Sequence, residues 1–273
     1  MMMNRTDRKR QAREDEKRLA RGIDPDSQDP EPTAAMARQL HALLERAKRE
    51  GDIGPPVKFL QAKVEATLRG MQHIPVACAK GCPHCCHTWV SATAPELLFV
   101  AKLLRRSNPA LLQNVRAAHL ATRDFDFSQR SRHPQACPLL EAALCSIYES
   151  RPIACRFAAS MSAAICGRAL RELSGEGIPT PGLHLKGRGV YETAAVIALR
   201  HASLPYHYYE LNAGLARALE RDDAEEAWLS GDDIFAHVRR DPNDAFANPI
   251  VGRMYQHAFG ETRLPNSNDA GWR

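Results

Sequence analysis

Cys78-Ala-Lys-Gly-Cys82-Pro-His-Cys85-Cys86 is the stretch whose reading decides the architecture. A second run, Cys137-Pro-Leu-Leu-Glu-Ala-Ala-Leu-Cys145-Ser-Ile-Tyr-Glu-Ser-Arg-Pro-Ile-Ala-Cys155-Arg, follows some fifty residues later, and Cys166 comes soon after. These are all 8 cysteines of the 273-residue chain. Thiols scattered through a core as small hydrophobes would not cluster this way, whereas thiolates gathered around a soft metal would. The Cys82-x-x-Cys85 spacing lets one turn present two thiolates to a tetrahedral ion. Cys85 and Cys86 are neighbours whose side chains diverge in extended chain, so one of them is expected to serve a second metal, a bridging position or the surrounding structure. Eight thiols suit two four-thiolate sites, or one multinuclear cluster with spare ligands.

Working outward, composition is ordinary for a globular protein: 44% hydrophobic and 25% charged residues. Few aromatics (6%) and abundant alanine and leucine favour helix over strand. The net charge of +5 is too small to require a nucleic-acid partner. No stretch approaches the roughly 20 apolar residues of a membrane span. The start, Met1-Met2-Met3-Asn4-Arg5, shows no apolar leader core, which predicts a cytoplasmic protein with reduced thiols.

Residues 1–32 read as a disordered charged arm, basic over 5–21 and acidic with prolines over 24–32. Residues 33–221 read as one helical domain with the cysteine unit at 78–166. Thr33 is a candidate N-cap for a helix with Met36, Leu40, Leu43, Leu44 and Ala47 on one face and Gly51 as its stop. Pro55-Pro56 opens a second helix, carrying Leu60, Val64, Leu68 and Met71. Thr93-Ala94-Pro95-Glu96 predicts another start, and Asn108-Pro109 one more. Residues 87–92 are expected to be extended, 124–136 and 175–189 to be loops, and 157–173, 190–202 and 206–221 to be helices. From 222 to 273 the pattern weakens, predicting a weakly structured C-terminal region. The fold class expected is mainly α, a helical scaffold around a loop-rich cysteine-ligated metal centre.

The order Cys78, Cys82, Cys85-Cys86, Cys137-Pro138-Leu139-Leu140, Cys145-Ser146-Ile147-Tyr148, Arg151-Pro152 and Cys155-Arg156 resembles the YkgJ-type cysteine-cluster family, a zinc- or iron-chelating domain with a CxxCxxCC signature. Here Cys78 and Cys82 have three residues between them where the signature has two. The resemblance implies metal binding, with zinc or iron as cofactor, the iron alone or in an iron–sulfur cluster. It names no reaction and no protein partner. The ligand candidates are Cys78, Cys82, Cys85, Cys86, Cys137, Cys145, Cys155 and Cys166, the last standing outside the best-matched motif. Lys80, Arg151 and Arg156 are candidates to offset thiolate charge. Flagellin lysine methylases look similar in carrying such a cluster, so a cluster-dependent protein-modifying enzyme is one alternative. A thiol–disulfide oxidoreductase using Cys82 and Cys85 is another. His73, His84, His87 and His133 read as spectators, and His207 with Tyr206, Tyr208 and Tyr209 as packing residues.

Overall fold

The structure, a computed structural model, describes residues 29–173, 176–241 and 249–260. It is mainly helical, with eleven helices and two small sheets among the described residues. The expectation for the charged arm falls outside the described residues except at Asp29–Pro32.

Helix α1 (Glu31–Glu50) begins two residues before Thr33, with Pro32 in its first turn, where a missing N–H costs nothing. Gly51 ends it at φ +68°, the left-handed C-cap that glycine supplies without strain. Helix α2 (Gly54–Gly70) opens at Pro55-Pro56 and delivers the chain to the first cysteine run. Strand β1 (Ser91–Thr93) leads directly into α3 (Ala94–Ser107). Then come α4 (Leu111–Thr122) and the short α5 (Phe127–Arg132). The segment 124–136 was expected to be loop throughout. Asp126 and Gln129 form a reciprocal capping box, which starts α5 inside an otherwise polar stretch.

The second cysteine run holds a hairpin, β2 (Leu140–Glu141) and β3 (Leu144–Cys145), then α6 (Ile153–Phe157). A break at 158–162 precedes α7 (Ala163–Glu172), so the helix expected over 157–173 is two. Helix α8 (Gly182–His201) starts inside the stretch expected to be loop. One of its glycines, Gly187, serves packing. A Cβ at Gly187 would stand 2.7 Å from the Phe157 ring, so the residue is small because α6 lies against it.

Strand β4 (Tyr208–Glu210) pairs antiparallel with β1, Ser91 opposite Glu210, and cuts short the helix expected from 206. Helix α9 (Leu211–Glu220) follows and packs on α3 and α4. Tyr209 is fully buried and meets the Phe235 ring at 5.0 Å, which bears out its reading as a packing residue.

The C-terminal region departs from expectation. It holds α10 (Ala224–Leu229) and α11 (Pro249–Phe259). Val251, Met254, Tyr255 and Ala258 are buried at helical spacing, which lays α11 on α1 and α8. The His201 ring stacks on Phe259 at 3.7 Å, His41 meets His201 edge-on at 4.6 Å, and His257 pairs with Glu31 at 2.9 Å.

Two outcomes follow from this packing. Burial and the facing His201 hold His41 below the ordinary imidazole value, with Glu45 opposing and Lys48 adding to the effect. A depressed folded value disfavours the protonated ring, so its contribution is complete above about pH 6.5 and is lost as pH falls. The thermal midpoint should therefore drop on acidification, and less so in His41→Gln. Separately, a Cβ at Gly214 would stand 2.4 Å from Cδ1 of fully buried Leu97. Gly214→Ala should cost about 1–3 kcal/mol by overpacking, read from denaturant unfolding.

Candidate metal centre

Four pieces of chain carry the cysteines, and each is fixed by a few identifiable bonds. In the first run, Gly81 takes φ +85°, turning the chain between Cys78 and Cys82. A one-turn 3₁₀ helix spans His84–His87, closed by the Cys86 N–H donating to the Pro83 carbonyl (2.9 Å). His87 Nδ1 bonds the same carbonyl at 3.0 Å and Thr88 Oγ1 donates to the Cys85 carbonyl at 3.0 Å. Cys85 and Cys86 therefore sit in a tight turn rather than in extended chain. Their side chains are in contact.

The second run docks on this turn. The Cys137 N–H donates to the Cys86 carbonyl at 2.7 Å. In the hairpin that follows, Leu140 lies opposite Cys145. Its turn residues Ala142 and Ala143 both take positive φ (47° and 62°), the conformation a two-residue hairpin demands. Cys155 rides on α6, whose first N–H, that of Ile153, donates to Glu96 Oε1 at 2.7 Å. Glu96 is itself buried, and its Oε2 accepts from the Thr93 N–H and hydroxyl at 2.8 Å each. One carboxylate thus joins the start of α3 to the start of α6.

Cys78 and Cys166 are held on the other flank. Ala77 N–H donates to the Ser160 carbonyl at 2.7 Å, and the Ser160 N–H donates to Cys78 Sγ at 3.3 Å. Helix α7, carrying Cys166, packs on the 3₁₀ turn. A Cβ at Gly167 would touch the His84 ring at 3.5 Å, so His84 lies beside the Cys166 segment.

All 8 cysteines are unoxidised; Cys78 and Cys85 are exposed and the other six partly buried. Their charges act on one another as one network. Cys78 feels Cys82, Cys85 and Cys166. Cys86 feels Cys85, Cys137 and Cys155. Cys155 feels Cys137, Cys85 and Cys145. Burial, then the neighbouring sulfurs, push Cys155 and Cys145 upward and Cys137 to about 11. The contact between the two thiols draws Cys85 below the ordinary thiol value and pushes Cys86 above it. Thiolates crowded like this are unfavourable without a cation, and a bound metal reverses that balance by deprotonating its ligands. Soft, reduced thiols fit zinc or iron as a donor type. Among the described residues no group of three or more Cys, His, Asp or Glu donors is already arranged to hold an ion.

Of the cations expected to offset this charge, Arg151 is placed to do so: it acts on Cys85, Cys145 and Cys155 and lies 3.7 Å over the Tyr148 ring. Arg156 is committed elsewhere. Its buried guanidinium pairs with Glu65 at 3.1 Å and donates to the Arg151 and Glu149 carbonyls. The sequence reading missed Arg130. It is 2% exposed, donates to the His133 carbonyl at 3.0 Å, and acts on both Glu210 and Cys137. Its Nε is buried without a hydrogen-bond partner. Nothing in the polar stretch 124–136 marked one arginine of several as buried. The histidines mostly have local partners: His73 bonds the Gly70 carbonyl and His133 stacks on Phe125 at 5.0 Å.

Residues 77–172 match the family model named CxxCxxCC, described as "Putative zinc- or iron-chelating domain". Over this segment, about a third of the chain, the protein is similar to that family. The match begins one residue before Cys78 and ends with α7. It includes every cysteine, whereas α1, α2 and α8–α11 lie outside it. No curated protein and no solved structure matches the chain. Among the described residues no helix is long and apolar enough to cross a membrane.

Glu96 gives this arrangement a direct test. Glu96→Ala leaves the Thr93 and Ile153 donors without their acceptor and should cost about 3 kcal/mol. It should also raise the alkylation rate of Cys155, read by mass spectrometry. Glu96→Gln, which keeps an acceptor oxygen, should do less on both counts.

Proposed function

We propose that the CxxCxxCC domain binds zinc or iron through thiolates drawn from Cys78, Cys82, Cys85, Cys86, Cys137, Cys145, Cys155 and Cys166. The observation that carries this reading is the gathering of all 8 unoxidised cysteines within the segment that matches the zinc- or iron-chelating family model. A cation held there supplies charge compensation and a staple between distant segments, so its binding energy becomes folding energy. The chain's own residues do the positioning: Glu96 sets α6, the Cys86 carbonyl seats Cys137, and Arg151 and Arg130 provide positive charge beside the sulfurs. Two exposed thiols leave an entry side for the ion. A cytoplasmic setting, which keeps thiols reduced, agrees with this use.

A thiol–disulfide reading draws on the exposed Cys85 with its lowered pKa. Against it, the Cys82–Cys85 pair leads into a one-turn 3₁₀ helix and then a strand, whereas redox dithiols of that spacing sit at the N-terminus of an α-helix.

Alkylation footprinting of protein purified without air separates the two. Metal ligands should label slowly until a chelator removes the ion. Cys155→Ser should lower bound metal and the thermal midpoint together. Rapid labelling of Cys85, unchanged by chelator, in protein without bound zinc or iron would favour thiol–disulfide exchange.

A further inference from the structure

Helix α11 is held on α1 and α8 by two kinds of contact. Val251, Met254, Tyr255 and Ala258 bury one face of it. Its last turn closes on a group of rings drawn from all three helices, and two of those rings are imidazoles. His201 of α8 stacks on Phe259 at 3.7 Å, and its Nδ1 lies 3.2 Å from the Tyr255 hydroxyl. His41 of α1 stands edge-on to both His201 (4.6 Å) and Phe259 (5.7 Å). The Nδ1 of His41 is buried without a hydrogen-bond partner. The charged groups on these helices near the rings are Glu31, Arg38, Glu45 and Lys48 on α1, Arg200 on α8, and Arg253 and His257 on α11. Lys48 bonds Glu45 at 3.1 Å, and Arg200 donates to the Tyr206 hydroxyl at 2.7 Å. Glu31 takes both Arg38 and His257. Glu45, the carboxylate that acts on His41, is thus already shared with a lysine.

We propose that these rings form an acid-sensitive clasp: when His41 and His201 are both protonated, α11 leaves α1 and α8 while the rest of the fold stays in place. A single charge fits the cluster. Protonated His201 keeps its Tyr255 contact, because a hydroxyl oxygen accepts as well as donates, and its ring lies on the face of Phe259, which favours a cation. A second charge does not fit. Two imidazolium rings would face each other 4.6 Å apart, and the Nδ1–H of His41 would be a buried donor with no acceptor. Burial and the facing His201 already hold His41 below the ordinary imidazole value. The sign is that of a depressed histidine: the clasp is complete above about pH 6.5 and is lost as pH falls. Helix α11 is the element that yields, since α1 and α8 also pack on each other and on α2. The His257–Glu31 pair works the other way. Protonation of His257 strengthens it, and His257 and Arg38 hold the Glu31 carboxyl below its ordinary range, so the carboxylate keeps its charge as pH falls. This pair delays the opening.

Hydrogen exchange of the full chain, read by mass spectrometry, tests the clasp. Between about pH 7.5 and about pH 5, and after correction for the intrinsic exchange rate, the amides of α11 should lose about ten-fold or more of their protection, because the open state binds more protons than the closed one. The amides of α3 and α9 should keep theirs. His201→Phe retains a ring against Phe259 and carries no charge, so it should remove most of the loss. Should that variant fail to fold, His41→Gln, which leaves a single imidazole in the cluster, should do the same. His257→Gln removes the opposing pair and should move the loss to higher pH. Protection of α11 that does not change over this range overturns the clasp. So does a loss shared equally by α3 and α9, which is global unfolding, or an undiminished loss in His201→Phe or His41→Gln.

Discussion

The carboxylate of Glu96 is the interaction on which the placement of the cysteine segment depends. It is almost completely buried, which costs an ionised group several kcal/mol unless hydrogen bonds replace water. Three donors do so: two from Thr93 and one from Ile153. Desolvation nevertheless holds its pKa above the ordinary value, with the donated bonds working the other way. The bond to Ile153 ties the irregular second run to a helix that packs in the core. Little regular structure surrounds Cys137–Cys155, so a few such bonds decide where its thiols stand.

Much of the scaffold was legible because local chemistry and global packing agree there. Thr93-x-x-Glu96 read as a helix start and is one, and Gly51 read as a stop and is one. The signal in Thr93 and Glu96 was half the truth, since the same carboxylate has a third, distant donor that no local pattern reveals. The failures have physical causes as well. Glycines at 182, 187 and 189 suggested a loop because propensity assigns them a cost, but Gly187 is required small by Phe157. Tyr208–Glu210 became a strand because β1 offered it a partner, a long-range fact. Helix α11 was detectable: residues 251, 254, 255 and 258 follow the helical repeat. Its isolation behind a polar stretch concealed it.

The cysteine cluster was legible as a list of thiols and illegible as a charge balance. Cysteine spacing announced the thiols and drew attention to the arginines next to them in sequence. Adjacency in sequence is a poor guide to which charge faces which. Arg156, beside Cys155, is turned into an ion pair with Glu65, while Arg130, seven residues before Cys137, is buried where it acts on that thiol. A guanidinium cannot shed its proton, so this positive charge is permanent and its burial favours whatever anionic state forms beside it.

The pairing of β1 with β4 has a consequence for the order in which the molecule assembles. Ser91 and Glu210 meet across a loop that contains the whole second cysteine run, α7 and α8. Closing so long a segment is entropically unfavourable before its contacts form. The Cys86–Cys137 backbone bond starts just before that loop, ends within it and bridges a shorter segment. An ion captured early by thiols on both sides of this bond would shorten the effective chain still to be closed. On the metal-binding reading, newly made protein without an ion would have to search for the β1–β4 register unaided, and metal supply during synthesis would govern the yield of folded chains as well as their final stability.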